Sequence, residues 1–196
     1  FAATISAEYA TPQILVSPSE ASANVAIAST YDLEAYSPPL DKFWDTNNFS
    51  RFKADLQQTC NTSYGTCLLY GDRKSRQWRK SLDSKFAVLG NRGVENSSYD
   101  ENTYLGSKTL QIHGTRKEWV GNICYNDNHV ELTRTFAPST LAQINDNGLV
   151  VEDTLFAEDV DLDGEGGDVF LCITDTGSAT GGDCETFAWE TAVSWD

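Results

Sequence analysis

The segment 109–136 places the strongest constraint on the fold, because it contains two strand-forming runs separated by a short turn. The first run is 118–125, the second is 129–136, and Asn126, Asp127 and Asn128 stand between them. Asn and Asp side chains bond their own backbone and tolerate left-handed conformations, so this triplet favours a hairpin with a three-residue loop. The first run is amphipathic: one face would carry Trp119, Gly121, Ile123 and Tyr125, and the other Val120, Asn122 and Cys124. The sequence therefore predicts a β-hairpin that packs within a larger sheet.

The same segment resembles a known protein family. The text LQIHG at 110–114 and WVGNICYNDNHVEL at 119–132 is similar to the C-terminal head of pseudopilin-like, prepilin-type proteins found in Planctomycetes. VLGNRG at 88–93 and DNGL at 146–149 extend the likeness, which covers about 80–175.

The resemblance implies a fold and a role. We expect an α+β head domain, mainly antiparallel sheet with one or two short helices, over 37–196, preceded by an arm or stalk at 1–36. The N-terminal helix that anchors type IV pilins and type II secretion pseudopilins is expected to be absent. The implied function is a non-enzymatic structural subunit of an extracellular or periplasmic filament, with self-assembly or other pilin-like subunits as partners.

The charge of the chain is unevenly distributed. The net charge is −15, and all 14 Lys and Arg residues precede residue 135, whereas about half of the 29 acids follow it. Because phosphate contacts need a basic face, this balance argues against nucleic acid binding. The basic residues between Arg73 and Arg92 form either a solvated loop or a surface that meets the acidic C-terminal region.

Five cysteines suggest two short cross-linked loops. We predict disulfides between Cys60 and Cys67 and between Cys172 and Cys184, in an oxidising compartment, with Cys124 as a small core residue. The alternative is that all five cysteines are free thiols in a reducing compartment.

An acidic segment near the C-terminus has the pattern of a calcium loop. Oxygen ligands at every second residue, followed by Gly164, suit a hard cation with six to eight ligands. At the twelfth position of the loop, where an EF-hand has a bidentate Glu, this chain has Phe170. The segment could therefore be either a Ca²⁺-binding loop or a solvated acidic turn. Calcium loops near the C-terminus also occur in the pseudopilins that the chain resembles. The predicted ligands are Asp159, Asp161, Asp163, Glu165 and Asp168.

The remaining patterns predict structure rather than catalysis. Phe49, Phe52 and Leu56 have the spacing of one helix face, which predicts a helix at about 48–58. His113 and His129, with Asp127, could bind a metal or transfer protons, but they also suit the ends of strands, where they would bond turn backbone.

Two other functional classes stay open. The first is a secreted, calcium-dependent module that binds carbohydrate or another surface, which aromatic side chains on an exposed sheet face would favour. The second is a hydrolase, which would need a cleft that gathers a histidine with acids. No nucleophile elbow and no phosphate-binding glycine loop is present in the sequence, so we expect no enzyme activity.

Overall fold

The computed structural model describes most of the chain. The described residues are 1, 4–5, 9–29, 53–68, 73, 77–80, 82–99, 101–146, 148–157, 159, 168–174 and 193–195. Within them the fold is mostly antiparallel β-sheet, and the longest helix, α1, has six residues (Glu101–Gly106). The predicted predominance of antiparallel sheet is confirmed at this level. Among these residues, no helix has the length and apolar character needed to cross a membrane.

A six-stranded sheet forms the centre of the molecule, and all of its pairings are antiparallel. Its order across the sheet is β10-β9-β3-β4-β5-β6. Two-stranded sheets β1-β2 and β7-β8 accompany it. The strands are β1 (Ala54–Asp55), β2 (Thr59–Cys60), β3 (Tyr64–Cys67), β4 (Ala87–Asn91), β5 (Gly121–Tyr125), β6 (Val130–Thr133), β7 (Ile144–Asp146), β8 (Leu149–Val151), β9 (Leu171–Thr174) and β10 (Val193–Ser194).

The predicted hairpin is present as β5 and β6. Gly121 lies opposite Thr133, and Cys124 lies opposite Val130. The loop has three residues, because the Tyr125 N–H donates to the His129 carbonyl (3.0 Å), and Asn128 has a left-handed φ of 71°. The left-handed backbone conformation in this loop is thus occupied by Asn, a residue that tolerates it well.

The two faces of the central sheet are unequal. On the inner face, the β5 residues Gly121, Ile123 and Tyr125 are buried, and they share one face as the alternation predicted. Trp119 precedes them and packs against Phe156 in a T-shaped contact with ring centroids 5.0 Å apart. This core also holds Phe86, Ala87, Val94, Leu110, Phe136, Leu155, Val169 and Leu171.

On the outer face, β6 exposes apolar side chains. Val130 and Leu132 are 62% and 61% exposed, because their register with Cys124 and Asn122 directs them away from the core. Leu149 and Val150 of β8 are also exposed.

The segment predicted as an arm is bound to the sheet where the structure describes it. Ser63 donates its N–H to the Leu15 carbonyl (2.8 Å), and Cys60 donates to the Asn24 carbonyl (2.8 Å). The Glu20 carboxylate forms a buried ion pair with Arg92, at the end of β4. Backbone pairing and a buried charge pair therefore hold residues 15–26 against the strands that contain or adjoin Cys60, Ser63 and Arg92.

The predicted helix at 48–58 is wrong for the part described, 53–58. Ala54 and Asp55 form β1, and the turn that follows is closed when Gln57 donates its N–H to the Asp55 carboxylate (2.8 Å). Asp side chains compete with helical bonding in this way. Leu56 is buried, as the helix pattern required, but through a turn rather than a helix face.

The predicted Cys60–Cys67 disulfide is not formed, since both residues are free thiols. The Cys60 thiol donates to the Thr62 carbonyl (3.2 Å) and packs in a separate cluster with Val25, Leu56 and Ile173. Cys67 ends an extended strand and enters the main core. Each residue of such a strand advances the chain by about 3.3 Å, which carries Cys67 away from Cys60.

Cys172 is likewise a buried free thiol, and Cys184, its predicted partner, lies outside the described residues. Cys124 is partly buried and also free.

Candidate metal centre

A cluster of three aspartates lies where the chain leaves β8 and where it enters β9. Asp153, Asp159 and Asp168 each offer a carboxylate oxygen, and these oxygens lie within 4.8 Å of one another. Asp159 and Asp168 are two of the five predicted ligands. The other three, Asp161, Asp163 and Glu165, lie outside the described residues. Asp153 was not predicted, and it completes the cluster.

Backbone bonds hold Asp153 between the two strands. It follows the last residue of β8 by two positions, and its carboxylate oxygens accept the N–H of Val169 at 3.1 and 3.2 Å. Asp153 is only 2% exposed. Its carboxylate therefore links the end of one strand to the approach of another and has little contact with water.

Asp159 and Asp168 are held by neighbouring donors. Thr154 donates both its N–H and its hydroxyl to Oδ2 of Asp159, each at 2.7 Å. The N–H of Asp159 in turn points to Oδ1 of Asp168 at 3.4 Å. These bonds bring the acidic segment back onto the residues that follow β8.

One buried arginine faces the cluster. Arg73 donates from Nε to the Asp168 carbonyl (2.9 Å) and from Nη2 to the Asp168 carboxylate. Its guanidinium also lies over the Phe170 ring, 5.6 Å from the centroid. Of the two interpretations of the basic region, a solvated loop or a surface that meets the acidic C-terminal region, Arg73 follows the second.

The electrostatics of the cluster favour a bound cation or a proton. Burial, reinforced by the charge of Asp168, raises the pKa of Asp153 to about 9. Burial also raises the pKa of Asp168 to about 6, although Arg73 acts in the opposite direction. Among the described residues, these three carboxylates face one guanidinium, so ionising all three would place an excess of negative charge in a largely buried place. A divalent cation would cancel that excess.

A cavity gives Asp153 access to a wider space. It has a volume of about 230 Å³, and Glu152 and Asp153 form one part of its wall. Pro138 and Leu141 also line it. The geometry and chemistry of this buried cluster are therefore those of a site that could hold a metal ion.

The two histidines lie apart from this cluster. Nδ1 of His129 is 2.5 Å from the Asp127 carboxylate, and its ring stacks on Tyr125 with centroids 4.4 Å apart. His113 follows a 3₁₀ turn (Thr109–Gln111) rather than a strand, and its Nδ1 lies 3.4 Å from the Ser19 hydroxyl. In the described residues, the aspartate cluster is the one group of three or more such ligands that could hold a metal.

Sequence reasoning missed Asp153 because it searched for ligands at alternate positions of one loop. A signal was present: an acid two residues after the apolar run 149–151 lies at the end of a strand, where the chain turns back. A scan against protein-family models, a search of curated proteins and a search of solved structures found no match to this chain.

Proposed function

We propose that this chain is the head domain of a non-enzymatic structural subunit that assembles outside the cytoplasm, in the manner of pilin or pseudopilin filaments. In this proposal, β6 supplies the contact between subunits, and a calcium ion bound by the aspartate cluster fixes the acidic segment. The partners are further copies of the chain or similar subunits, and not nucleic acid.

The observation that carries the assembly proposal is the outer edge of the central sheet. No described strand pairs with the far side of β6, and Val130 and Leu132 project from it into solvent. An unpaired strand edge with apolar side chains readily adds a strand or a face of another molecule. Its neighbours on the outer face, Asn122 and Cys124, are uncharged, so no like-charge repulsion opposes a second copy there.

Assembly is tested by placing charges on this edge. We expect the unmodified chain to form concentration-dependent oligomers or filaments in light scattering and electron micrographs, and the V130K/L132K variant to remain monomeric. The matched control is L149K/V150K, which charges two similarly exposed apolar residues on β8. A chain that is monomeric at every concentration would contradict the assembly proposal. Assembly that persists in V130K/L132K would show that β6 is not the contact.

Calcium is the cation that we propose for the aspartate cluster. The ligands are hard carboxylate oxygens, and two oxygens on opposite sides of Ca²⁺ at about 2.4 Å each are separated by about 4.8 Å. The three aspartate oxygens lie within 4.8 Å of one another, a span that one such cation can bridge. Mg²⁺ needs a tighter octahedron at about 2.0–2.1 Å and retains more water. The resemblance to pseudopilins with calcium loops near the C-terminus points the same way.

The calcium proposal is tested by calorimetric titration of the chelator-treated protein with CaCl₂ and with MgCl₂. We expect Ca²⁺ to bind and to stabilise folding by about 2.7 kcal/mol at a hundredfold excess over its dissociation constant. D153N should lose this response, whereas E95Q, which removes an acid far along the chain from the cluster, should keep it. Binding of Mg²⁺ alone would refute calcium but not the site, and no response to either ion would refute both.

A further inference from the structure

A groove crosses the outer face of the central sheet, on neighbouring strands β3 to β6. Its volume is about 610 Å³, and its floor is made by Tyr64, Asn91, Asn122 and Val130, one residue from each of these strands. The turn at 17–19 and the ring of His113 form its walls. The groove is therefore built from one continuous patch of sheet and two separate loops.

Both walls are fixed to the same buried side chain, Arg92. Its guanidinium pairs with Glu20, directly after the turn at 17–19, and its Nε donates to the Thr109 hydroxyl (2.8 Å), in the 3₁₀ turn before His113. Ser63 adds a second tie, because its hydroxyl accepts the Ser17 N–H at 3.0 Å. Loops anchored in this way hold a preformed shape, which lowers the entropic cost of binding a ligand.

The floor carries polar groups with hydrogen-bonding capacity that no described residue takes up. Asn91 is 97% buried, since its exposed fraction is 3%, and its Oδ1 accepts the Asn122 N–H at 2.8 Å. Among the described residues, the Asn91 Nδ2 has no hydrogen-bond acceptor, and the Tyr64 hydroxyl and the Asn122 side-chain amide have no partner. Buried amide groups are nearly always paired, so an open donor at the base of a groove points to a bound molecule.

The chemistry of the lining selects the class of ligand. Among the described residues, no Asp, Glu, Lys or Arg lines the groove, in a chain whose net charge is −15. Amide and hydroxyl groups offer both donors and acceptors, which match the hydroxyls of a sugar, and the Tyr64 ring and Val130 suit its apolar face. We propose that this groove binds a neutral saccharide. The inference requires neither calcium nor assembly.

The experiment is a saturation-transfer NMR titration of the full chain with four uncharged probes and one anion. The probes are methyl α-mannoside, methyl β-galactoside, cellobiose and N,N′-diacetylchitobiose, and the anion is glucuronate. We expect saturable binding of at least one neutral probe, with little for glucuronate. N122A and Y64F each remove a hydrogen-bonding group and should weaken binding about fivefold to tenfold.

Matched variants locate the site. V130A should weaken binding, whereas L132A should not, although both residues are similarly exposed on the same strand and only Val130 lines the groove. N122A alters an exposed side chain, so it keeps the test valid if Y64F folds poorly. Absence of binding by all four neutral probes, binding that N122A leaves unchanged, or preference for glucuronate would each overturn the proposal. Val130 belongs both to the groove and to the proposed β6 contact, so Y64F, at a residue outside β6, separates the two proposals: it should weaken saccharide binding and leave assembly unchanged.

Discussion

Replacing Glu20 by Gln should destabilise the fold strongly, because it removes the negative charge that Glu20 places against the buried Arg92 guanidinium. The side chains of Arg92 and Glu20 are 2% and 6% exposed. Nη2 of Arg92 lies 2.8 Å from Oε1 of Glu20, and the Ser63 hydroxyl donates to Oε2 at 2.7 Å. The two N–H groups of Ala21 and Ser22 also donate to this carboxylate. Gln can keep some of these bonds, but it cannot neutralise the guanidinium.

The magnitude follows from the burial of the pair. Removing one partner of a buried ion pair costs about 3–5 kcal/mol, since the remaining charge stays out of water. The chain offers a matched surface pair in Glu118 and Arg134, which are 3.2 Å apart with side chains 38% and 67% exposed. Exposed pairs of this kind contribute about 0–1 kcal/mol. E20Q should therefore lower the free energy of unfolding several times more than E118Q does.

Urea unfolding followed by tryptophan fluorescence measures both variants. We expect E20Q to lower the urea midpoint clearly with little change in slope, and E118Q to leave it almost unchanged. Replacing both partners by apolar residues, as in E20L/R92M, should cost less than E20Q alone, because no buried charge then remains unpaired. Equal effects of E20Q and E118Q would refute the view that a buried charge pair fixes residues 15–26 to the sheet.

Acid should weaken the same contact. Burial by itself would raise the pKa of Glu20, but the Arg92 pair and the bonds from Ser63 and Ser22 outweigh burial and lower it. The unfolded chain therefore binds this proton more readily than the native protein. The stability that Glu20 contributes is complete above about pH 4.5 and is lost as the pH falls through the lower native pKa.

Three further predictions concern the core, the aspartates and the thiols. G93A should lower the free energy of unfolding in urea by about 1–3 kcal/mol, because its new Cβ would lie 2.1 Å from Cδ2 of Phe156. The control G106A places its Cβ where no atom lies within 4 Å, so it should be nearly neutral. Equal effects of the two variants would refute this packing. With chelator present, the free energy of unfolding should fall as the pH rises from 5 to 8, by up to about 1.4 kcal/mol per pH unit. The reason is that the pKa of native Asp153 is raised to about 9, so the native protein keeps a proton that the unfolded chain releases. A pH profile that is flat, or that D153N leaves unchanged, would contradict this. A thiol reagent should label Cys124 faster than Cys60, Cys67 or Cys172, as measured by peptide mass spectrometry. The last three are buried, and burial raises their thiol pKa values, that of Cys67 to about 11. A Cys60–Cys67 cross-linked peptide would overturn the assignment of free thiols.

The hairpin was predictable because its signals are local. The Asn-Asp-Asn turn, the alternation along 119–125 and the short loop are all contained in about 15 residues, and the structure forms them as β5 and β6. The outward direction of Val130 and Leu132 was harder to foresee. Alternation shows that two sides of a strand differ, but the register with Cys124 and Asn122 decides which side meets the core.

The helix at 48–58 failed for a related reason. Spacing of i, i+3 and i+7 is also met by chance in a short run that contains a turn. Asp55 favours a turn over a helix here, since its carboxylate accepts the Gln57 N–H and its backbone carbonyl accepts the Gln58 N–H. The disulfide prediction likewise used only the spacing of the cysteines along the chain. Because β3 is extended, Cys67 reaches the main core, whereas Cys60 packs in a separate cluster.

Buried charge is the property that local patterns could not supply. The partners of Arg73 and Arg92 are 95 and 72 positions away, so neither pair leaves a trace in any short window. The polarity of the chain left two interpretations open for its basic region, a solvated loop or a surface that meets the acidic end, and Arg73 with Asp168 forms the second kind of contact. It could not indicate that Asp153 would enter from a third segment and raise the local excess of negative charge. That excess makes a cation site more plausible than the loop pattern did, because the reason for binding lies in unbalanced charge that folding itself brings together.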